Sequence, residues 1–213
     1  MPERELEALA ARVYEAYAAL PEADGRQVDP ELLARRLLGL KVVYRRLSRD
    51  GSILGITAPA PVEVPVLEEG RRAWYRLDGR TILLEQRLLG PWVSPGRHRF
   101  TLMHEVGHRL LAGEDALPQR SEGMADRLAS ALLMPLPLLR RTLPASGWSR
   151  GPLPDRRLDP ERWRGFAALA ETMGVSRQAL AIRLEGLGLI RQRPGWTLRP
   201  VPEQTPAAGE LEE

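Results

Sequence analysis

Hydrophobic residues recur along the chain with two different periods, and the change of period separates helical from extended segments. Between Glu5 and Leu20 the apolar residues lie three or four positions apart, which predicts an amphipathic helix. The segment VDPELLARRLLGL predicts a second helix, because Asp29 can cap its first turn and Pro30 suits its first position. We therefore expect two short helices at the start of the fold.

Segments typical of β-strands follow these helices. Apolar residues dominate the runs LKVVYRRL, SILGITA and AWYRLDGRTILLE. Asp78 and Gly79 divide the third run into two apolar halves, which predicts a tight hairpin turn. The intervening segment APAPVEVPVLEEG has too many prolines for a central strand, so we expect a loop or a sheet edge there. These runs predict a small antiparallel sheet.

Helical spacing returns after the predicted sheet. Thr101 can cap one helix, which Gly113 would close, and a further helix is expected from about Ser121 to Met134, before Pro135. The segment PASGWSRGPLPDRRLDP is rich in proline and glycine and predicts a loop. The apolar pattern of FAALAETMGVSRQALAIRLEGLGLI then predicts a helix, a turn and a second helix.

Together these patterns predict an α+β protein, with a small antiparallel sheet packed against helices and a C-terminal unit that resembles a helix-turn-helix. We predict four segments: a core with N-terminal helices at 1–145, a proline- and glycine-rich loop at 146–160, the helix-turn-helix-like unit at 161–199 and a tail at 200–213. The tail lacks apolar periodicity and is expected to be disordered.

Composition narrows the range of functions. The chain has 213 residues, of which 43% are hydrophobic and 28% charged, enough for a substantial core. Its first segment, MPERELEALAARVYEAY, is acidic where a secretory signal needs a basic start, and long apolar runs are absent, so we expect a cytoplasmic protein without membrane contact. Cysteine is absent, which excludes thiol nucleophiles and cysteine-bound zinc. A tightly bound metal would therefore use histidine and carboxylate.

Two of the three histidines, His104 and His108, lie four residues apart in RFTLMHEVGH. On a helix this spacing places both imidazoles on one face, with Glu105 beside them at the rim. Met103, Val106 and Leu110 are expected on the opposite side, in the core. A catalytic zinc site has three protein ligands and one position for water, so a third ligand is required.

The segment SEGMADRLASALLMP offers carboxylates for this role. Glu122 and Asp126 lie one helical turn apart and therefore share a helix face. Glu122 can complete the metal triad, and Asp126 can accept the free N–H of a ligating histidine and fix its tautomer. Spacing alone also leaves Glu114, Asp115 and Asp126 as candidate ligands.

The three segments RFTLMHEVGH, SEGMADRLASALLMP and VDPELLARRLLGLKVV together resemble the ImmA/IrrE family of metallo-endopeptidases, over roughly Val28 to Leu189. The resemblance implies an HExxH zincin-like core in which His104, His108 and Glu122 bind the metal. It also implies that Glu105 is the catalytic base, which would take a proton from a metal-activated water during cleavage of a peptide bond.

A second similarity concerns the metal site. The pair Glu122 and Asp126 is similar to the signature of thermolysin-like zinc peptidases, in which the aspartate supports a histidine ligand. Zinc is the expected metal, and manganese can bind to the same ligands.

The ImmA/IrrE resemblance also implies a biological role. The implied substrate is a helix-turn-helix transcriptional repressor, cleaved in the cytoplasm during a stress or mobile-element response. For stabilising the oxyanion, His98 and Tyr75 are residues of a suitable type.

Two rival functions remain. Ser176, Arg177 and Gln178 begin the second helix of the C-terminal unit, where a transcription regulator would contact DNA. A net charge of only +3 and the lack of a dense basic stripe disfavour direct nucleic-acid binding. The third possibility is a catalytically inactive interaction module that retains a structural metal.

The same helix also has a purely structural interpretation. Leu180, Ile182 and Leu184 are then core residues, and Arg177 and Arg183 are solvated charges.

Overall fold

The computed structural model describes residues 2–112, 118–144 and 151–191. Seven α-helices occur in these residues: α1 (Glu3–Ala18), α2 (Pro30–Leu32), α3 (Pro95–Leu111), α4 (Pro118–Leu133), α5 (Leu136–Thr142), α6 (Pro160–Met173) and α7 (Arg177–Gly186). A π-helical turn, Leu33–Leu37, extends α2, and a short 3-10 helix, Gln86–Leu89, precedes α3. The strands are β1 (Lys41–Arg45), β2 (Gly55–Thr57), β3 (Val62–Glu68), β4 (Arg71–Leu77), β5 (Thr81–Glu85), β6 (Gly151–Pro152) and β7 (Ile190–Arg191). The predicted α+β class is confirmed.

The strands form three small sheets in the described part of the chain. In the largest, β5 lies between β1 and β2, parallel to β1 and antiparallel to β2. The β3–β4 pair is antiparallel, as predicted, and the β6–β7 pair is parallel. The predicted small antiparallel sheet is therefore present as the β3–β4 pair, and the three-stranded sheet is mixed. The proline-rich segment forms β3, an edge strand, as the sequence indicates.

The hairpin predicted at Asp78 and Gly79 is wrong. The hairpin turn lies at Glu69 and Gly70, which both have positive φ and join β3 to β4. Every residue of β5 is buried, so this strand needs neighbours on both edges and pairs with β1 and β2 instead of β4. The Asp78 carboxylate accepts hydrogen bonds from the backbone N–H of Arg80 and the hydroxyl of Thr81, and so stabilises the connection between β4 and β5.

Side-chain caps fix where the helices begin. The Asp29 carboxylate accepts hydrogen bonds from the backbone N–H groups of the first turn of α2, which confirms the predicted cap. The predicted start of α3 at Thr101 is wrong, because the Ser94 hydroxyl caps this helix and Pro95 occupies its first turn. Thr101 is buried within α3. The predicted stop at Gly113 lies outside the described residues.

Helix α3 packs between α4 and the three-stranded sheet. Met103 and Val106 are fully buried, as predicted, whereas Leu110, also predicted in the core, is only partly buried against it. At Gly107 a Cβ atom would lie 3.1 Å from the carbonyl oxygen of Ala125 in α4. The missing side chain therefore lets the two helices approach closely beside the predicted metal ligands.

The C-terminal helices belong to the same hydrophobic core. Leu180 and Leu184 of α7 are fully buried, as predicted, but Ile182 is 53% exposed and Arg183 only 6% exposed, so both of these assignments are wrong. Consecutive residues of a helix are about 100° apart, which places position 182 opposite positions 180 and 184 and position 183 beside them. The Arg183 guanidinium contacts both carboxylate oxygens of Glu7 and donates to the carbonyl of Met134.

Replacing Arg183 by alanine is expected to lower the free energy of unfolding by about 3 kcal/mol, because Glu7 would keep a largely buried charge without its partner. Urea denaturation measures this loss. The matched control is Arg177→Ala on the same helix, which removes only an exposed guanidinium stacked on Trp163 and is expected to cost less than about 1 kcal/mol. If the two variants lost the same free energy of unfolding, the buried pair of Arg183 and Glu7 would not be stabilising.

The division into segments at 1–145, 146–160 and 161–199 stays a prediction, and the tail at 200–213 lies outside the described residues. No helix in the described ranges has both the length and the apolar surface to cross a membrane.

Candidate metal centre

Two packed helices bring the candidate ligands together. His104 and His108 lie on α3, and Glu122 lies on α4. The Nε2 atoms of the two histidines are 3.0 Å apart, and the Glu122 carboxylate oxygens lie 3.2 Å from His104 Nε2 and 3.3 Å from His108 Nε2. All three side chains therefore direct donor atoms towards one point.

These donors suit a divalent cation. Ligands about 2.1 Å from a tetrahedral zinc ion lie about 3.4 Å from one another, which is close to the three separations observed. Burial, with a contribution from the nearby His104, lowers the pKa of His108 and favours the neutral imidazole that binds metals. Among the described residues, His104, His108 and Glu122 are the one group of three or more side chains with this capacity.

Asp126 lies beside the group and does not belong to it. Its carboxylate accepts a hydrogen bond from Nδ1–H of His104 at 2.8 Å. This contact fixes the tautomer of His104 and leaves Nε2 as the donor that faces His108 and Glu122. The other candidate carboxylates, Glu114 and Asp115, lie outside the described residues.

Glu105 is more buried than the sequence indicates. The sequence places it at the rim, whereas the side chain is 6% exposed and points towards β2. A Cβ atom at Gly55 would lie 2.7 Å from the Cγ and Cδ atoms of Glu105, so the glycine makes room for this side chain. Burial, together with the Glu122 carboxylate, raises the pKa of Glu105 to about 8. A cation bound nearby would favour the ionised form.

The candidate ligands face a cleft of about 740 Å³ between β2 and α3. Apolar side chains such as Ile53, Phe100 and Leu111 form much of its wall, and Glu105 also lines it. The volume is in the range of ligand-binding clefts. The arrangement thus combines a possible metal site, a buried carboxylate and space for a substrate.

The candidates for oxyanion stabilisation lie elsewhere. His98 Nε2 is 2.7 Å from the hydroxyl of Tyr44, which donates to Glu31, and burial lowers the pKa of His98. Tyr75 packs in the small core of the β3–β4 sheet and has the guanidinium of Arg45 over its ring. Neither residue is among the described side chains that line the cleft.

Sequence reasoning missed Gly55 and Arg109, which both line the cleft. Their positions depend on which strand edge lies over α3, and this is a property of the tertiary fold. Arg109 has one local signal, since it lies one helical turn after Glu105 and so shares its helix face.

The site is of the kind found in metal-dependent hydrolases, with a His–His–Glu donor set beside a buried carboxylate. Residues 68–185, more than half of the chain, match the family model for the IrrE N-terminal-like domain of the M78 peptidases. The chain therefore belongs to this metallopeptidase family, and the predicted ImmA/IrrE membership is confirmed. Comparison with individually curated proteins finds no match.

Proposed function

We propose that this protein is a metal-dependent endopeptidase, with zinc rather than manganese as its physiological metal, and that its substrate is a helix-turn-helix transcriptional repressor. The observation that supports this best is the convergence of His104, His108 and Glu122 beside the buried Glu105 in a chain of the M78 family. A cytoplasmic location and a role in a stress or mobile-element response belong to the same proposal.

The side chains divide the chemistry between them. His104, His108 and Glu122 would hold the cation, with Asp126 orienting His104. When bound, a divalent cation supplies Lewis acidity, which makes water easier to deprotonate and polarises the scissile carbonyl. Glu105 accepts the proton of the attacking water and later delivers it to the leaving amine.

In the described part of the chain β2 pairs with a strand on one edge only, and its other edge offers a place for the substrate backbone. The carbonyl of Leu54 accepts from the backbone N–H of Glu85, and hydrogen-bonded pairs alternate along an antiparallel ladder. The N–H and C=O groups of Gly55 and Thr57 therefore point away from β5, along the cleft. An extended peptide can pair with these groups and so place a peptide bond near Glu105.

The test is incubation of the purified protein, loaded with zinc or manganese, with repressors encoded beside its gene. Metal-dependent cleavage at one peptide bond, lost in Glu105→Gln, is the expected result. A folded, metal-loaded protein that cleaves none of these repressors or unstructured peptides derived from them would contradict the proposal.

Substituting Gly55 by alanine is expected to reduce kcat by about ten-fold or more while the protein still binds its metal, because the added methyl group displaces Glu105. Steady-state kinetics and metal analysis measure the two effects separately. Gly186→Ala is the matched control, since a Cβ atom there has no neighbour within 4 Å. Unchanged kcat in Gly55→Ala would show that the close packing of β2 on Glu105 does not matter for catalysis.

A further inference from the structure

Arg109 occupies a distinctive position in the cleft. It follows His108 on α3, and its guanidinium reaches across to the residue after β2, where Nη1 donates to the carbonyl of Ala58 at 2.8 Å. Among the described residues that line the cleft, Arg109 is the one arginine or lysine. Arg109 is neither a candidate metal ligand nor the catalytic base.

In the described part of the chain, Arg109 and Thr57 do not use all of their hydrogen-bonding groups. Within the described part of the chain, Nε of Arg109 and the hydroxyl oxygen of Thr57 are both buried and have no hydrogen-bond partner. Buried polar atoms in folded proteins almost always have partners, and a buried charged donor without one is costly. Both side chains line the cleft. A ligand that enters the cleft can supply the missing acceptor.

The chemistry of Arg109 and Thr57 specifies that acceptor. A guanidinium binds a carboxylate through parallel charge-assisted hydrogen bonds, and a hydroxyl can donate another. The two acidic side chains of the cleft, Glu105 and Glu122, belong to the catalytic base and the candidate metal site. The positive charge at Arg109 therefore has no carboxylate partner among the described residues of the cleft wall.

We propose that Arg109, assisted by Thr57, forms a specificity subsite that binds an acidic side chain of the substrate peptide. This inference rests on the proposed peptidase function and adds a substrate preference to it. Gly55 packs against Glu105 and Ala58 against Arg109, so β2 and α3 run in the same direction here. Three strand residues span about 10 Å, which places the acidic side chain about two or three residues from the scissile bond.

Binding tests the subsite independently of cleavage. The probes are short fluorescein-labelled peptides that are otherwise apolar and neutral and that differ only by Glu or Gln at one position, with each position changed in turn. Fluorescence anisotropy with the zinc-loaded Glu105→Gln variant gives the ratio of the two dissociation constants. At one position the Glu peptide is expected to bind about ten-fold more tightly or better, as for a hydrogen bond to a charged group.

Variants assign the preference to its residue. Adding Arg109→Gln to the Glu105→Gln variant is expected to bring the ratio of the two dissociation constants to about one. Arg109→Lys should keep part of the preference, because lysine retains the positive charge but lacks the planar guanidinium that binds both carboxylate oxygens. Arg36→Gln, which changes an exposed arginine paired with Glu22, is the matched control and should keep the full ratio. Thermal unfolding verifies that each variant is folded.

The outcomes separate this inference from the proposed function. Equal binding of Glu and Gln peptides at every position, no binding of any peptide, or a preference that survives Arg109→Gln overturns the subsite. If the chain with Glu105 intact cleaves peptides without an acidic preference, the peptidase proposal holds and the subsite does not. If an Arg109-dependent preference is measured but no cleavage occurs, the subsite holds and the peptidase proposal fails.

Discussion

Replacing Glu105 by glutamine is expected to abolish peptide cleavage while the protein keeps its metal. Glutamine has nearly the same shape as glutamate but cannot accept a proton at neutral pH, so the attacking water would lose its base. Removing a general base lowers kcat by about 10²- to 10⁴-fold. Glu105 is not among the three side chains whose donor atoms converge, so metal content should not change.

Two measurements on the same preparation test this expectation. Cleavage of a repressor is followed over time, and metal content is determined by mass spectrometry after dialysis. Glu161→Gln, at an exposed position in α6, is the matched control and should behave like the unchanged protein. If Glu105→Gln retained full peptidase activity, Glu105 would not be the base.

The second large effect is expected on metal binding. His104→Ala and Glu122→Ala each remove one of three converging donors, and a site with two protein ligands holds zinc far more weakly. We expect both variants to lose the metal on dialysis, whereas Asp126→Asn should weaken binding by about 10- to 100-fold, the range for outer partners of a ligand. Competition with a chelator of known affinity measures all of these changes.

The third histidine of the chain provides the control. His98 is half-buried and hydrogen-bonded to Tyr44, away from the converging donors, so His98→Ala should retain the metal. Loss of metal in His98→Ala to the same extent as in His104→Ala, or one full equivalent of tightly bound metal in His104→Ala, would show that the ion binds elsewhere.

The candidate site could largely be predicted because helical periodicity alone determines much of it. Residues four positions apart share a helix face, which pairs His104 with His108 and Glu122 with Asp126. Helical periodicity does not predict that these two helices pack together. The structure shows this packing, with Gly107 in close contact with α4. The hydrogen bond from His104 to Asp126 agrees with the predicted supporting contact, and the catalytic and metal-binding roles stay proposals.

The wrong predictions about the fold have different physical origins. The turn signal at Asp78 and Gly79 is local, and it was outweighed by the burial of β5, which requires a partner on each edge. The assignments of Ile182 and Arg183 could have been made correctly, since the angular spacing of a helix separates position 182 from its buried neighbours. The buried ion pair of Arg183 with Glu7 could not have been predicted from the sequence, because the two residues are far apart along the chain.

The contribution of β2 to the cleft was the least predictable feature. SILGITA predicts a strand, but the sequence does not specify which edge of that strand is free or which helix it faces. Only the pairing of β2 with β5 and its packing on α3 show that Gly55 makes room for Glu105 and that Arg109 lies at the end of the strand. Substrate-binding features built from several elements depend on such tertiary contacts.

The most direct test of the central claim is anomalous diffraction at the zinc edge from crystals grown with zinc. The account predicts one strong peak within bonding distance, about 2.1 Å, of His104 Nε2, His108 Nε2 and a carboxylate oxygen of Glu122, with Glu105 not bound to it. A fully occupied zinc ion at any other position, with none between these three side chains, would contradict it.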